Sequence, residues 1–136
     1  MKRALGRQVL LEFYGCAPNL LDSTEFVETA MLRAARKARA TIVRAAFHRF
    51  SPHGVSGMVV IAESHLAIHT WPEHRYAAID IFTCGSRVLP EVACKCLISA
   101  FGPSEVTRQD IDRGTRVGSR EPAARGDGEH EASLPA

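Results

Sequence analysis

Six histidines, four cysteines and a serine closing an apolar run are the groups in this 136-residue chain suited to acid–base, nucleophilic or metal chemistry. They are densest in Glu63-Ser64-His65-Leu66-Ala67-Ile68-His69-Thr70-Trp71-Pro72-Glu73. A serine hydroxyl is a weak nucleophile unless strain or a neighbouring group assists it. A histidine titrates near neutrality and is a suitable base for removing a proton. His65 and His69 stand four apart and would share one face of a strand. With Glu73 and His74 they offer candidate metal ligands, but no cluster has a zinc signature, and no metal site is assigned. Taken alone, Ser64 reads as a strand end and Cys84 as a small buried hydrophobe, like Cys16, Cys94 and Cys96. Cys94 and Cys96 lie two apart on a helix and point in different directions. The lysines are Lys2, Lys37 and Lys95, one near the terminus and two in helical contexts. None is placed like a pyridoxal lysine buried on a strand.

These groups need a scaffold, and the composition allows one of modest size. Apolar content is 46% and charged content 24%, ordinary for a globular protein. A domain this long buries roughly two-thirds of the surface of its unfolded chain. The net charge of +2 is too weak to indicate nucleic acid. No apolar run reaches the ~20 residues of a membrane helix. Lys2 and Arg3 precede only a short apolar run broken by Glu12, so no signal peptide is expected. The expectation is a cytoplasmic protein with reduced thiols and no membrane association.

Gly6 to Tyr14 alternates as a strand, and Gly15 and Pro18-Asn19 punctuate it. Asp22 or Ser23 then caps a helix to about Ala38, with Phe26, Val27, Ala30, Met31, Ala34 and Ala35 at helical spacing. Thr41 to Phe50 reads as a strand, and Ser51-Pro52-His53-Gly54 as a turn. Strands follow at 57–62, 65–70 and 76–83. Pro90 opens a helix over 91–101, whose apolar set includes Val92, Ala93, Cys96, Leu97 and Ala100. Gly102-Pro103 stops it, and 104–111 forms a last strand. The order β-α-β-β-β-β-α-β predicts an α+β fold, a two-layer α/β sandwich with a mainly antiparallel sheet and two helices on one face. One domain is expected over 1–113. From Gly114 the chain loses its large apolar residues, and 114–136 is expected to be a disordered tail.

Ser56-Gly57, Glu63-Ser64-His65, His69-Thr70, Pro72-Glu73 and Phe82-Thr83-Cys84-Gly85 stand in the order and spacing of a known family. The chain from about Gly6 to Phe101 resembles the short prokaryotic S-adenosylmethionine decarboxylase proenzymes, which depend on a pyruvoyl group. The resemblance implies self-cleavage between Glu63 and Ser64, giving a β chain, 1–63, and an α chain, 64–136. Ser64 would attack the Glu63 carbonyl, and the ester would then eliminate. His69 matches the processing base, and Ser56 is expected near enough to stabilise the tetrahedral intermediate. Residue 64 would become the pyruvoyl cofactor, which forms a Schiff base with the substrate amine and withdraws electrons as CO2 departs.

Cys84 matches the family's proton donor; an ordinary thiol, with a pKa of ~8.5, is mostly protonated at neutral pH. Phe50 matches a residue stacking on adenine, and Glu73 the acid that holds the ribose hydroxyls. Trp71 is expected as a pocket wall or interface residue. The implied substrate is S-adenosylmethionine, the product an aminopropyl donor for spermidine synthesis, and the assembly a homodimer of αβ units. The residues alone leave other readings open: the same chemistry on arginine or ornithine, or an uncleaved metal- or ligand-binding relative.

Overall fold

The computed structural model describes residues 4–117. Its strands are β1 (Gly6–Tyr14), β2 (Ile42–Arg49), β3 (Val55–Ile61), β4 (Ser64–Trp71), β5 (Tyr76–Thr83) and β6 (Glu105–Arg113). Its helices are α1 (Pro18–Leu21), α2 (Thr24–Lys37) and α3 (Pro90–Phe101), with a 3-10 turn at Pro72–His74. The strands form one sheet in the order β2-β3-β4-β5-β1-β6, every neighbouring pair antiparallel.

The predicted α+β sandwich is what the chain adopts, with one helix more than expected. Pro18-Asn19, read as punctuation, opens the single turn α1, because proline's fixed φ suits a first helical position. The expected strand limits shift by a few residues at β2, β3, β4 and β6. Most of the expected tail, from residue 118 onward, lies outside the described residues.

Ser23, rather than Asp22, caps α2, its Oγ accepting from the Phe26 N–H at 3.0 Å. One face of α2 buries Val27, Ala30, Met31 and Ala34 against the sheet. α3 turns Ala93, Cys94, Leu97 and Phe101 inward, so Cys94 rather than Cys96 joins the core. Burial pushes the Cys94 thiol up, and that of Cys16 to about 11. Phe101 packs between Phe13 (6.2 Å) and Phe26 (5.4 Å), joining both helices to β1.

The core therefore lies on one side of the sheet, filled by Val9, Leu11, Val59, Leu66, Ile68, Ile79 and Ile81. The strand period of two sends the alternate residues to the other side. There the register aligns His48, Ser56, His69, Ala78, Glu12 and Thr107 across the six strands. No element among the described residues covers this face. It carries Tyr14, Met58, Trp71 and Ile111, each about 40% exposed.

Candidate active site

β3 and β4 form a hairpin whose loop is Ala62-Glu63, closed by the pair Ile61–Ser64. Loops this short favour turns with positive φ inside the loop, because only those match the twist of the strands. Here neither Ala62 nor Glu63 has positive φ; it falls instead on Ser64, at 145°. A residue with a Cβ held in this region costs on the order of 1–3 kcal/mol. Ser64 is nearly buried, at 7% exposure.

The peptide before Ser64 is gripped on both sides. The backbone N–H of Cys84 donates to the Glu63 carbonyl oxygen at 2.9 Å. That bond polarises the carbonyl and faces the oxygen on which charge would develop if the carbon were attacked. The Glu63 carboxylate accepts from the Thr41 N–H at 3.2 Å and from its hydroxyl at 3.3 Å. Ser64 Oγ lies 3.3 Å from Cys84 Sγ. Strain, a polarised carbonyl and a neighbouring hydroxyl suit an N-to-O acyl shift at Glu63-Ser64.

A second set gathers at the other end of β4. On the uncovered face, Ser56 Oγ and His69 Nδ1 are 2.7 Å apart, opposite each other in the β3–β4 register. His69 leads into an aromatic row, with Trp71 at 6.5 Å, then Tyr76 5.3 Å from Trp71 and Tyr14 5.4 Å beyond. The Tyr76 hydroxyl donates to Glu12; burial and that carboxylate hold its ionisation well above the usual range. Phe50 is 46% exposed, edge-on to His48 at 4.7 Å.

Glu73 lies within the 3-10 turn, paired with His53 Nε2 at 3.1 Å. Its own backbone N–H, aided by His53, holds its carboxyl below the ordinary value. Asp22 fixes the connecting loop by accepting from Gly54 N–H (2.9 Å) and Arg49 (2.8 Å), which hold its carboxyl low. His65, next to Ser64 and on the uncovered face, has its ionisation lowered by burial, against the pull of Asp80. Among the described residues, no group of three or more His, Cys, Asp or Glu side chains is gathered around a metal-sized site.

The sequence-derived residues thus fall into two sets: Glu63, Ser64 and Cys84 at one end of β4, and Phe50, Ser56, His69, Trp71 and Glu73 at the other. Ser64 and His69 are five residues apart on one strand, about 17 Å at ~3.3 Å per residue. The expectation that Ser56 approaches the Glu63-Ser64 peptide is not met within one chain. In an antiparallel hairpin, residues pair by their distance from the turn, which gives Ser64 to Ile61 and Ser56 to His69. Sequence reasoning missed Thr41 and the backbone N–H of Cys84. The first had no signal beyond opening a strand, and a main-chain donor has none in side-chain spacing.

Comparison with known proteins places the chain in a family. The family model described as S-adenosylmethionine decarboxylase matches residues 7–114. The chain is 54% identical over 112 residues to the S-adenosylmethionine decarboxylase proenzyme of Acidithiobacillus ferrooxidans, covering 82% of this chain and 84% of that one. It is 55% identical over 112 residues to the proenzyme of the same name from Moorella thermoacetica, covering 82% and 90%. The crystal structure of the adenosylmethionine decarboxylase of Aquifex aeolicus superposes with a TM-score of 0.78 at 33% identity, covering 82% of this chain and 92% of that one. The chain belongs to the S-adenosylmethionine decarboxylase family.

Proposed function

We propose that this chain is a proenzyme that cuts itself between Glu63 and Ser64 and then decarboxylates S-adenosylmethionine, yielding the aminopropyl donor for spermidine synthesis and CO2. The observation that carries this reading is the strained φ of Ser64 beside a Glu63 carbonyl that accepts from the Cys84 N–H. Ser64 Oγ adds to the Glu63 carbonyl carbon, the C–N bond breaks, and the proton passes to the nitrogen, leaving an ester. Removal of the Cα proton of residue 64 then expels the Glu63 carboxylate. Water hydrolyses the resulting dehydroalanine with loss of ammonia, leaving chains 1–63 and 64–136.

The residue-64 position fits the pyruvoyl group of the family: it is nearly buried, at a strand end, with the Cys84 thiol 3.3 Å from its side-chain oxygen. When formed, that group supplies a carbonyl that condenses with the substrate amine and draws electrons as CO2 leaves. Cys84 holds a proton at Sγ for delivery to the substrate α-carbon. Ser56 holds His69 through Nδ1, which leaves Nε2 to meet the Cα proton of residue 64. Phe50 and Trp71 supply faces for the adenine and the sulfonium cation, an attraction worth ~0.5–2 kcal/mol. Glu73, ionised, accepts from the ribose hydroxyls.

The working unit is a homodimer of αβ units. His69 lies about 17 Å from Ser64 in its own chain, whereas proton transfer requires roughly 3 Å. Two copies packed through their uncovered faces, about a two-fold axis crossing β4, lay the Ser64 end of one over the His69 end of the other. Sheets stack ~10 Å apart, a gap that side chains and substrate fill. Tyr14, Met58, Trp71 and Ile111 on that face support burial in such an interface. The catalytic unit spans 1–113. No helix among the described residues is long and apolar enough to cross a membrane, and we assign the enzyme to the cytoplasm. Mass spectrometry of the purified protein tests the reading. A cut at Glu63-Ser64 with a pyruvoyl-blocked downstream chain, and turnover of S-adenosylmethionine but not arginine or ornithine, is expected. A single uncut chain overturns it.

A further inference from the structure

We infer that Thr41 is a positioning residue for self-cleavage: it holds the Ala62-Glu63 turn so that the conformational mismatch of the hairpin is borne by Ser64. The inference rests on the self-cleavage reading above and adds the source of the strain. Thr41 makes three bonds to the loop. Its carbonyl accepts from the Ala62 N–H at 2.8 Å, and its N–H and hydroxyl both donate to the Glu63 carboxylate. Residues 62 and 63 are thereby tied to the start of β2, the neighbour of β3, and not only to their own hairpin. Without that tie, the loop could take the positive-φ turn that a two-residue hairpin favours, and Ser64 would relax into an ordinary strand conformation.

A register shift between Ile42 and Arg44 marks a bulge just after Thr41. Bulges redirect the chain locally, and this one adjoins the residue that grips the loop. On the other side, the Cys84 N–H fixes the Glu63 carbonyl. The Glu63-Ser64 peptide is thus clamped at its side chain and at its oxygen, and Ser64 is left to absorb the remaining rotation. Breaking the peptide bond releases it.

The test is the self-cleavage rate of freshly folded precursor, followed by mass spectrometry with and without hydroxylamine. Thr41→Val keeps the shape and both backbone bonds but removes the hydroxyl donor. A fall in rate of about fivefold or more is expected, since each ~1.4 kcal/mol of lost ground-state strain is a factor of ten. Thr41→Ser should restore the rate. Glu63→Ala should slow cleavage at least as much, and adding Thr41→Val to it should cost nothing further, because both act through one contact. Hydroxylamine should release no additional fragment from Thr41→Val, since the clamp acts before the ester forms. Thr41→Val cutting within twofold of the wild type, or accumulating ester, overturns the inference. A wild-type chain that never cuts refutes the self-cleavage reading itself.

Discussion

Removing His69 from one chain and Ser64 from another tests whether the site is shared between two copies. Along β4 the two residues are about 17 Å apart. No side-chain rotation closes that gap to the ~3 Å of a proton transfer. His69→Ala should therefore stall as the ester in a pure preparation, with hydroxylamine releasing the downstream fragment. When His69→Ala and Ser64→Ala chains are co-expressed with distinguishable tags, random pairing puts about half of the His69→Ala chains into mixed dimers. Each mixed dimer contains one complete pair, Ser64 from one chain and His69 from the other. About half of the His69→Ala chains should then mature without hydroxylamine, and the Ser64→Ala chains should remain whole. If no His69→Ala chain matures in the mixture, the composite site is wrong and the base must lie within the chain it serves.

Four further outcomes are expected. Ser64→Gly should unfold at higher denaturant than Ser64→Ala, by about 1 kcal/mol, because glycine accepts φ 145° and alanine does not; equal midpoints would remove the strain from the account. Cys84→Ala should still cut itself, since the donor to the Glu63 carbonyl is a backbone N–H, yet lose decarboxylation, as read by CO2 release from the processed protein. Gly57→Ala should destabilise by about 1–3 kcal/mol in chemical unfolding, since the new Cβ would stand 2.0 Å from the Phe47 ring. The carboxyl of Asp22 is held below its ordinary value chiefly by the Gly54 N–H and Arg49. Its contribution to stability is therefore present above about pH 4 and lost as pH falls through the lowered value. Asp22→Asn should lower Tm at pH 7, and the gap to the wild type should close below pH 4.

Much of this was legible in the residues, for physical reasons that also mark where legibility ends. Val9, Leu11 and Phe13 alternate because one face of β1 is buried, so the strand declares itself. Ser23 and Gly102 bound helices because unpaired backbone groups there need a side-chain acceptor or a left-handed residue. α1 escaped notice, since a single turn has no periodicity to detect. The division of the site into two sets was latent in the spacing: five residues along a strand means a long reach. Motif order alone concealed it, because neighbours in sequence look like neighbours in space. The Thr41 contact joins residues 22 positions apart through a carboxylate, and nothing local encodes it.

The order of strands has a consequence for the cut protein. β1, β2 and β3 precede the proposed cleavage point and β4, β5 and β6 follow it, but in the sheet they are not segregated. β1 sits between β5 and β6, and β3 lies against β4. Once Glu63 and Ser64 part, every one of those three boundaries becomes a seam between separate polypeptides, stitched by main-chain hydrogen bonds. The two fragments are interleaved like fingers of clasped hands, so maturation severs a covalent link without freeing either piece. Unfolding the mature protein should then be a one-way event at low concentration. The precursor refolds as a single chain, whereas its fragments must first find each other, and refolding yield should rise with protein concentration only after the cut.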